Sequence, residues 1–396
     1  MRAFYEYYGS YPAVVGAWAL DTVSLTYIKE KYGVEGACVC KEQYGTDSYT
    51  LWGGYYGGGY YPSKNNVFCP AQTLENQLDL PVFRMLGSDP IYQYDYCLDI
   101  QKGPTRQSVV TLEPVYSDKG FGGGDKKWVD WFFKENFNPK ALGYTYAQAG
   151  QENSFGWELI CPGLMYQMQE LAKLKKEGKI ECLTLGETVD WFKNTYKQTP
   201  AVSVLAETDW KKEGRETYWY ENKNYRINVM KDAESVWIRD MFLFDETYPE
   251  RYLTEALDKN YYVFDNLPIV DGFRWSGNGV RCGVYFVGEN GKDLFGDILY
   301  EKGDGGIAIS VQAEQSVKCT FSEGELSFQS DKEFSLRGQA DTTRVDADFS
   351  VDGEKIRMQY RGHGYALTVE KGKVKTEQGE IVICSENGEI SVKMAR

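Results

Sequence analysis

The sequence predicts an α/β chain: an incomplete (β/α) barrel over residues 1–200, followed by a β-rich, sandwich-like domain over 201–396. Three observations carry this reading. Up to residue 200, short apolar runs alternate with longer amphipathic stretches, as in βα units built on a parallel sheet. Beyond Pro200 the pattern becomes dense alternation of Val, Ile, Phe and Tyr, broken by the turn signals GENGKD, KGDGG, VDGEK and SENGE. A chain of 396 residues also exceeds one core of usual size, so two domains of roughly 150 to 250 residues are expected.

The predicted strands of the first half are VVGAWAL (14–20), GACVC (36–40), VFRML (82–86), SVVTLEP (108–114), LGYTYAQ (142–148) and IECLTL (180–185). Between them lie helices. TVSLTYIKEKYG opens on Asp21 or Thr22 as N-cap and closes on Gly33, and PGLMYQMQELAKLKKEG runs from Pro162 to Gly178. Six strands make most of a barrel but not a closed one, and the chain opens on a helix-like segment, so early strands are expected to be missing. In the second half only YPERYLTEALDK reads as helical. No fixed-period repeat appears, and the one biased tract is the glycine-rich stretch at 53–59.

Composition narrows the function. Hydrophobic residues at 42% and charged residues at 26% are globular proportions. No apolar run approaches the ~20 residues of a membrane helix, and the amino terminus shows no export signal, so a cytoplasmic protein without a membrane partner is expected. A net charge of −14 with no cluster of Lys and Arg argues against nucleic acid. The nine cysteines are scattered and read as reduced thiols rather than a disulfide framework. With His363 the sole histidine, neither a Ser/His/Asp triad nor a multi-histidine metal site can form, so no metal or other cofactor is expected, and His363 reads as structural. Tyr (31), Trp (10) and Phe (19) supply flat apolar faces, and for Tyr and Trp a polar edge, which suits sugar rings as well as ordinary cores.

In parallel α/β folds, functional groups collect beyond the carboxyl ends of strands. The segments following the predicted strands here are rich in carboxylates: Glu42, Asp47, Asp89, Asp95, Glu152 and Glu187. Glycoside cleavage needs two carboxyl groups flanking the bond, one donating a proton and one acting as base or nucleophile. Asp47 and Glu152 are the leading pair, because each lies in a loop dense in amide, aromatic and glycine residues. Glu42 and Asp89 are further catalytic candidates. Trp52, Tyr55, Tyr56 and Trp157 are candidate sugar platforms, with Gln151 and Asn153 as hydroxyl partners. Trp52, Tyr55 and Tyr56 form an aromatic lid in one reading and a packed turn in the other. Arg84, five residues before Asp89, either pairs with it to fix the loop or clamps substrate. The run GGGYYPSK lacks the Gly-Lys-Ser/Thr ending of a phosphate cradle.

GQENSFGWE, placed after a late strand, resembles the acid-bearing segment of family 57 glycoside hydrolases. With FRMLGSDPIYQYD, TLGETVDWFK, YWYENKNYRINV and LPIVDGFRWS, it makes residues 10–280 similar to a group of the glycoside hydrolase/deacetylase barrel superfamily. The resemblance implies an incomplete (β/α)7 barrel with a helical or β-rich carboxyl-terminal region, a Glu nucleophile on a middle strand and an Asp acid on a late one. This chain departs from that pattern. Gln151, Glu152 and Asn153 stand where the acid Asp is sought, so the role passes to Glu152 by a shift of one position, and Glu42 or Asp47 takes the other role. The Asp/His/His metal site of the related deacetylases cannot be assembled with His363 alone.

The expectation is therefore a glycoside hydrolase-like protein acting on an oligo- or polysaccharide through paired carboxylates. The alternative is a non-catalytic carbohydrate-binding or structural protein on a degenerate or truncated enzyme fold.

Overall fold

The computed structural model of the protein describes residues 1–18, 20–40, 52–105, 110–115, 122–150, 155–258, 263 and 265–394. A three-stranded parallel sheet forms in the first half from β1 (Val14–Gly16), β2 (Gly36–Val39) and β3 (Val82–Arg84), in that spatial order. Helix α1 (Arg2–Tyr8) precedes β1. Helix α2 (Thr22–Tyr32) makes the crossover to β2 and bears the expected caps. The Asp21 carboxylate accepts the Ser24 N–H at 2.6 Å, and Gly33 ends the helix with φ of 70°.

No closed barrel is present among the described residues. The predicted strand at 142–148 forms no ladder with any described residue, and the described part of 108–114 carries only an isolated bridge between Ser88 and Thr111. The predicted strand at 180–185 is instead the approach to a helix. The reason lies in Thr184-Leu185-Gly186-Glu187, where the Thr184 hydroxyl accepts the Glu187 N–H and the Glu187 carboxylate accepts the Thr184 N–H. That reciprocal cap outweighs the short apolar run before it. The helices after α2 are α3 (Lys126–Asn136), α4 (Trp157–Lys176) and α5 (Leu185–Thr195). In the second half YPERYLTEALDK yields only a 3₁₀ turn at Arg251–Leu253.

Beyond the ladder of β4 (Leu98–Asp99) with β5 (Gly103–Pro104), every further strand among the described residues lies after residue 201. They are β6 (Val202–Ala206), β7 (Glu216–Glu221), β8 (Tyr225–Lys231), β9 (Val236–Leu243), β10 (Leu267–Asp271) and β11 (Gly283–Gly288). Then come β12 (Asp297–Lys302), β13 (Ile307–Gln312), β14 (Val317–Phe321), β15 (Glu325–Ser330), β16 (Phe334–Gln339) and β17 (Ala347–Asp352). The last are β18 (Lys355–Tyr360), β19 (His363–Lys371), β20 (Lys373–Glu377), β21 (Glu380–Cys384) and β22 (Glu389–Lys393). A nine-stranded sheet runs β20-β21-β16-β11-β9-β8-β7-β6 with β10 added on β9, and an eight-stranded sheet runs β12-β13-β14-β15-β22-β19-β18-β17. The two sheets share one core, in which Phe286 meets Phe328 and Tyr220 meets Phe321.

Strands β6 to β9 of the nine-stranded sheet are buried on both faces, and period-two alternation explains how. Tyr218, Tyr220, Tyr225, Ile227 and Val229 point into the shared core. Trp219, Glu221, Arg226, Asn228 and Asp240 lie on the opposite face, under the first half of the chain. A bulge opposite Asn228 and Val229 leaves Arg239 as the extra residue of β9. No disulfide joins any two of the nine cysteines, and no helix among the described residues is long and apolar enough to cross a membrane.

Candidate functional site at the carboxyl edge of the parallel sheet

The strands β1, β2 and β3 point their carboxyl ends the same way, and beside these ends residues 144–150 run over one face of the sheet, where Cys38 and Phe83 are paired neighbours. Three contacts place it. Tyr144 accepts the Gly59 N–H at 2.7 Å, the Tyr146 ring packs on Phe83 of β3 at 5.2 Å, and Gln148 hydrogen bonds the thiol of Cys38 on β2. Burial pushes the Cys38 thiol above its ordinary range, which the bond to Gln148 only partly offsets, so this sulfur is a neutral contact rather than a nucleophile. Burial likewise keeps the Tyr144 and Tyr146 hydroxyls protonated.

Below this edge lies a layer of buried charge. Arg84, the last residue of β3, donates to the Tyr55 carbonyl at 2.6 Å. Glu221 at the end of β7 accepts the N–H of Tyr56 at 2.5 Å and that of Gly57. Burial pushes the Glu221 carboxyl up to about 7, against the pull of those two N–H groups and of the Arg226 and Arg84 guanidiniums. Arg226 also donates to the Gly54 carbonyl and to the Tyr94 hydroxyl, each at 2.7 Å. The glycine-rich strap is thereby fastened to the charged face of the sheet. At Gly57 a Cβ would lie 2.6 Å from Glu221 Oε1, and at Gly59 one would lie 2.4 Å from the Phe83 ring, so only glycine lets the backbone come this close.

This strap is packed structure rather than an aromatic lid, which corrects the expectation for Trp52, Tyr55 and Tyr56. Trp52 is fully buried with its indole N–H donating to Asp271 at 2.8 Å. Tyr55 is also fully buried and donates to the Pro200 carbonyl at 2.8 Å, while Tyr56 stacks flat on Trp219 at 4.1 Å. Their faces are covered by protein and offer no sugar platform in this arrangement. Asp89 is equally enclosed. Its carboxylate accepts the Ile91 and Tyr92 N–H groups and the indole N–H groups of Trp128 and Trp210, at 2.8 to 3.0 Å, and Arg84 is not among its partners. With every oxygen engaged and no exposure, Asp89 organises the 89–92 turn, although burial raises its pKa. Glu187 belongs to the α5 cap, and His363 on β19 lies 2.7 Å from Asp245 with its ring stacked on Tyr248 at 4.4 Å.

Glu42, Asp47, Gln151, Glu152 and Asn153 lie outside the described residues. Their anchors do not. Cys40 follows β2, Gln148 and Gly150 lie on the 144–150 segment, and Phe155 and Trp157 stand exposed at the start of α4, Trp157 by 60%. Glu221, Arg226 and Asp240 join the layer of buried charge without having stood out in sequence. Their signal was a charged residue within an otherwise apolar and aromatic run, Glu221 and Arg226 in YWYENKNYRINV and Asp240 in SVWIRDMFLF.

No protein-family model matches the sequence, and no curated protein matches it. Among solved structures, a crystal structure from Parabacteroides distasonis, described as a candidate glycoside hydrolase/deacetylase, aligns with a TM-score of 0.46 at 17% identity. The alignment covers 66% of this chain and 61% of that chain.

Proposed function

We propose that the protein is glycoside hydrolase-like and acts on an oligo- or polysaccharide at the carboxyl edge of the parallel sheet. In this reading Glu152 is the general acid, and Asp47 or Glu42 is the base or nucleophile. The observation that carries it is the contact between Cys38 and Gln148. Glu42 lies four residues beyond Cys38 and Glu152 four beyond Gln148, and four residues reach at most about 14 Å. The proposal expects the two carboxyl groups at the ~5 Å separation of retaining enzymes or the roughly 6.5 to 9.5 Å of inverting ones. Gln151 and Asn153 flank the acid with hydroxyl partners, and the exposed Trp157 ring supplies the stacking face that Trp52, Tyr55 and Tyr56 do not. Family 57 likeness at GQENSFGWE belongs to this proposal.

The test is a screen of aryl glycosides and oligosaccharides with the wild type, then with Glu152→Gln, Asp47→Asn and Glu42→Gln. Loss of the acid should lower turnover by roughly 10² to 10⁴-fold while the thermal midpoint holds. Full turnover by Glu152→Gln would remove that residue from the mechanism. The second reading is a non-catalytic carbohydrate-binding protein, favoured by the presence of only three parallel strands and no closed barrel among the described residues. It expects oligosaccharide binding by the wild type with no turnover on any substrate.

A further inference from the structure

The core shared by the two large sheets is not filled. A cavity of about 430 Å³ lies between them, where protein interiors are otherwise packed like organic crystals. On the eight-stranded sheet its wall crosses five adjacent strands, touched in turn at Leu326, Val392, Leu367, Ile356 and Phe349. Four strand spacings of ~4.8 Å make it about 19 Å long. Its volume over that length leaves a cross-section of roughly 20 Å², the proportions of one chain rather than of a globular ring system. An apolar cavity of ~150 Å³ holds one benzene, so by the same ratio this one has room for roughly 15 to 20 carbon atoms.

The space comes from small residues on and beside β16 and β17. Gly338 on β16, Ala340 just beyond it and Ala347 at the start of β17 line the cavity where neighbouring positions carry Leu336 and Phe349. At Gly338 an added Cβ would meet nothing nearer than the Ile381 carbonyl at 3.5 Å, so small size is not forced there by a close neighbour. Asp348 and Glu380 border the space through their backbone positions, while the side chains turned into it from β17 and β21 are the apolar Ala347, Phe349, Ile381 and Ile383. None of the lining residues belongs to the parallel sheet or to the 144–150 segment.

We propose that this cavity is a binding site for a single unbranched alkyl chain, held between the sheets. The site is separate from the carbohydrate reading, and either stands if the other fails.

The experiment titrates the full chain calorimetrically with dodecanol and with cyclododecanol, a ring of the same carbon count. Dodecanol should bind, with cyclododecanol weaker by about tenfold or more. Gly338→Leu, which fills the slot, should lower dodecanol affinity by about tenfold or more with an unchanged or higher thermal midpoint. Ala347→Leu, from the opposite sheet, should do the same, and it stands in for Gly338→Leu should that variant not fold. The proposal is overturned by a wild type that does not bind dodecanol, by folded variants that bind it undiminished, or by cyclododecanol binding as well as dodecanol.

Discussion

Arg226 and Asp240 meet across neighbouring strands as a two-pronged ion pair, Nε to Oδ1 at 2.9 Å and Nη2 to Oδ2 at 2.8 Å, with neither side chain exposed. The pair sits beneath the glycine-rich strap and holds it through the Gly54 carbonyl, while Arg226 also donates to the Tyr94 hydroxyl. Asp240→Asn leaves the guanidinium buried without its counter-charge and should destabilise the protein by about 3 to 5 kcal/mol. Urea unfolding reads this directly. A loss under about 1 kcal/mol would show that the charge is compensated elsewhere.

Glu221 should make stability depend on pH. Its folded pKa of about 7 lies above its ordinary value of 4.5 because the charged form is desolvated. The folded state therefore binds the proton more tightly than the unfolded chain. The stability so contributed, on the order of 3 kcal/mol, is present in full below about 4.5 and is lost as pH rises through about 7. Glu250, pushed to about 8 by burial, acts with the same sign over a window that extends higher. Unfolding free energies at pH 5, 6, 7 and 8 should fall along the series, and Glu221→Gln should flatten the fall. A flat wild-type profile counts against a raised pKa at either carboxyl.

Trp52→Ala, Tyr55→Ala and Tyr56→Ala should each behave as core deletions, costing on the order of 3 to 5 kcal/mol for the larger rings. Sugar affinity of whatever protein remains folded should match the wild type. A selective loss of affinity at normal stability would return these rings to a binding surface.

Trp157 should show the opposite signature. Exposed by 60% at the start of α4, it can be replaced by Ala with a stability change within about 0.5 kcal/mol. In the proposed reading sugar affinity falls by about 1 kcal/mol, near fivefold, as calorimetry or fluorescence quenching would report.

The cap of α5 separates a structural carboxylate from a chemical one. Thr184→Ala should cost about 1 kcal/mol by removing the hydroxyl that accepts the Glu187 N–H. Glu187→Gln should leave turnover untouched in any assay where Glu152→Gln abolishes it.

What the sequence by itself determined were the features governed by near neighbours. Asp21 and Gly33 bound α2 because a short acceptor and a left-handed glycine act within one turn. The turn-rich alternation beyond Pro200 became two antiparallel sheets because hairpins pair strands adjacent in sequence. The tertiary structure decided the rest. LGYTYAQ and IECLTL have strand composition, yet the first pairs with no strand among the described residues and a capping box claims the end of the second. Trp52, Tyr55 and Tyr56 read equally as platform and as packing until the charged face of β7 and β8 closed over them, through contacts 164 residues apart such as Gly57 with Glu221. Period-two alternation shows that Glu221 and Arg226 share a face. Whether that face meets water or another layer depends on how distant segments stack, and no local pattern encodes it.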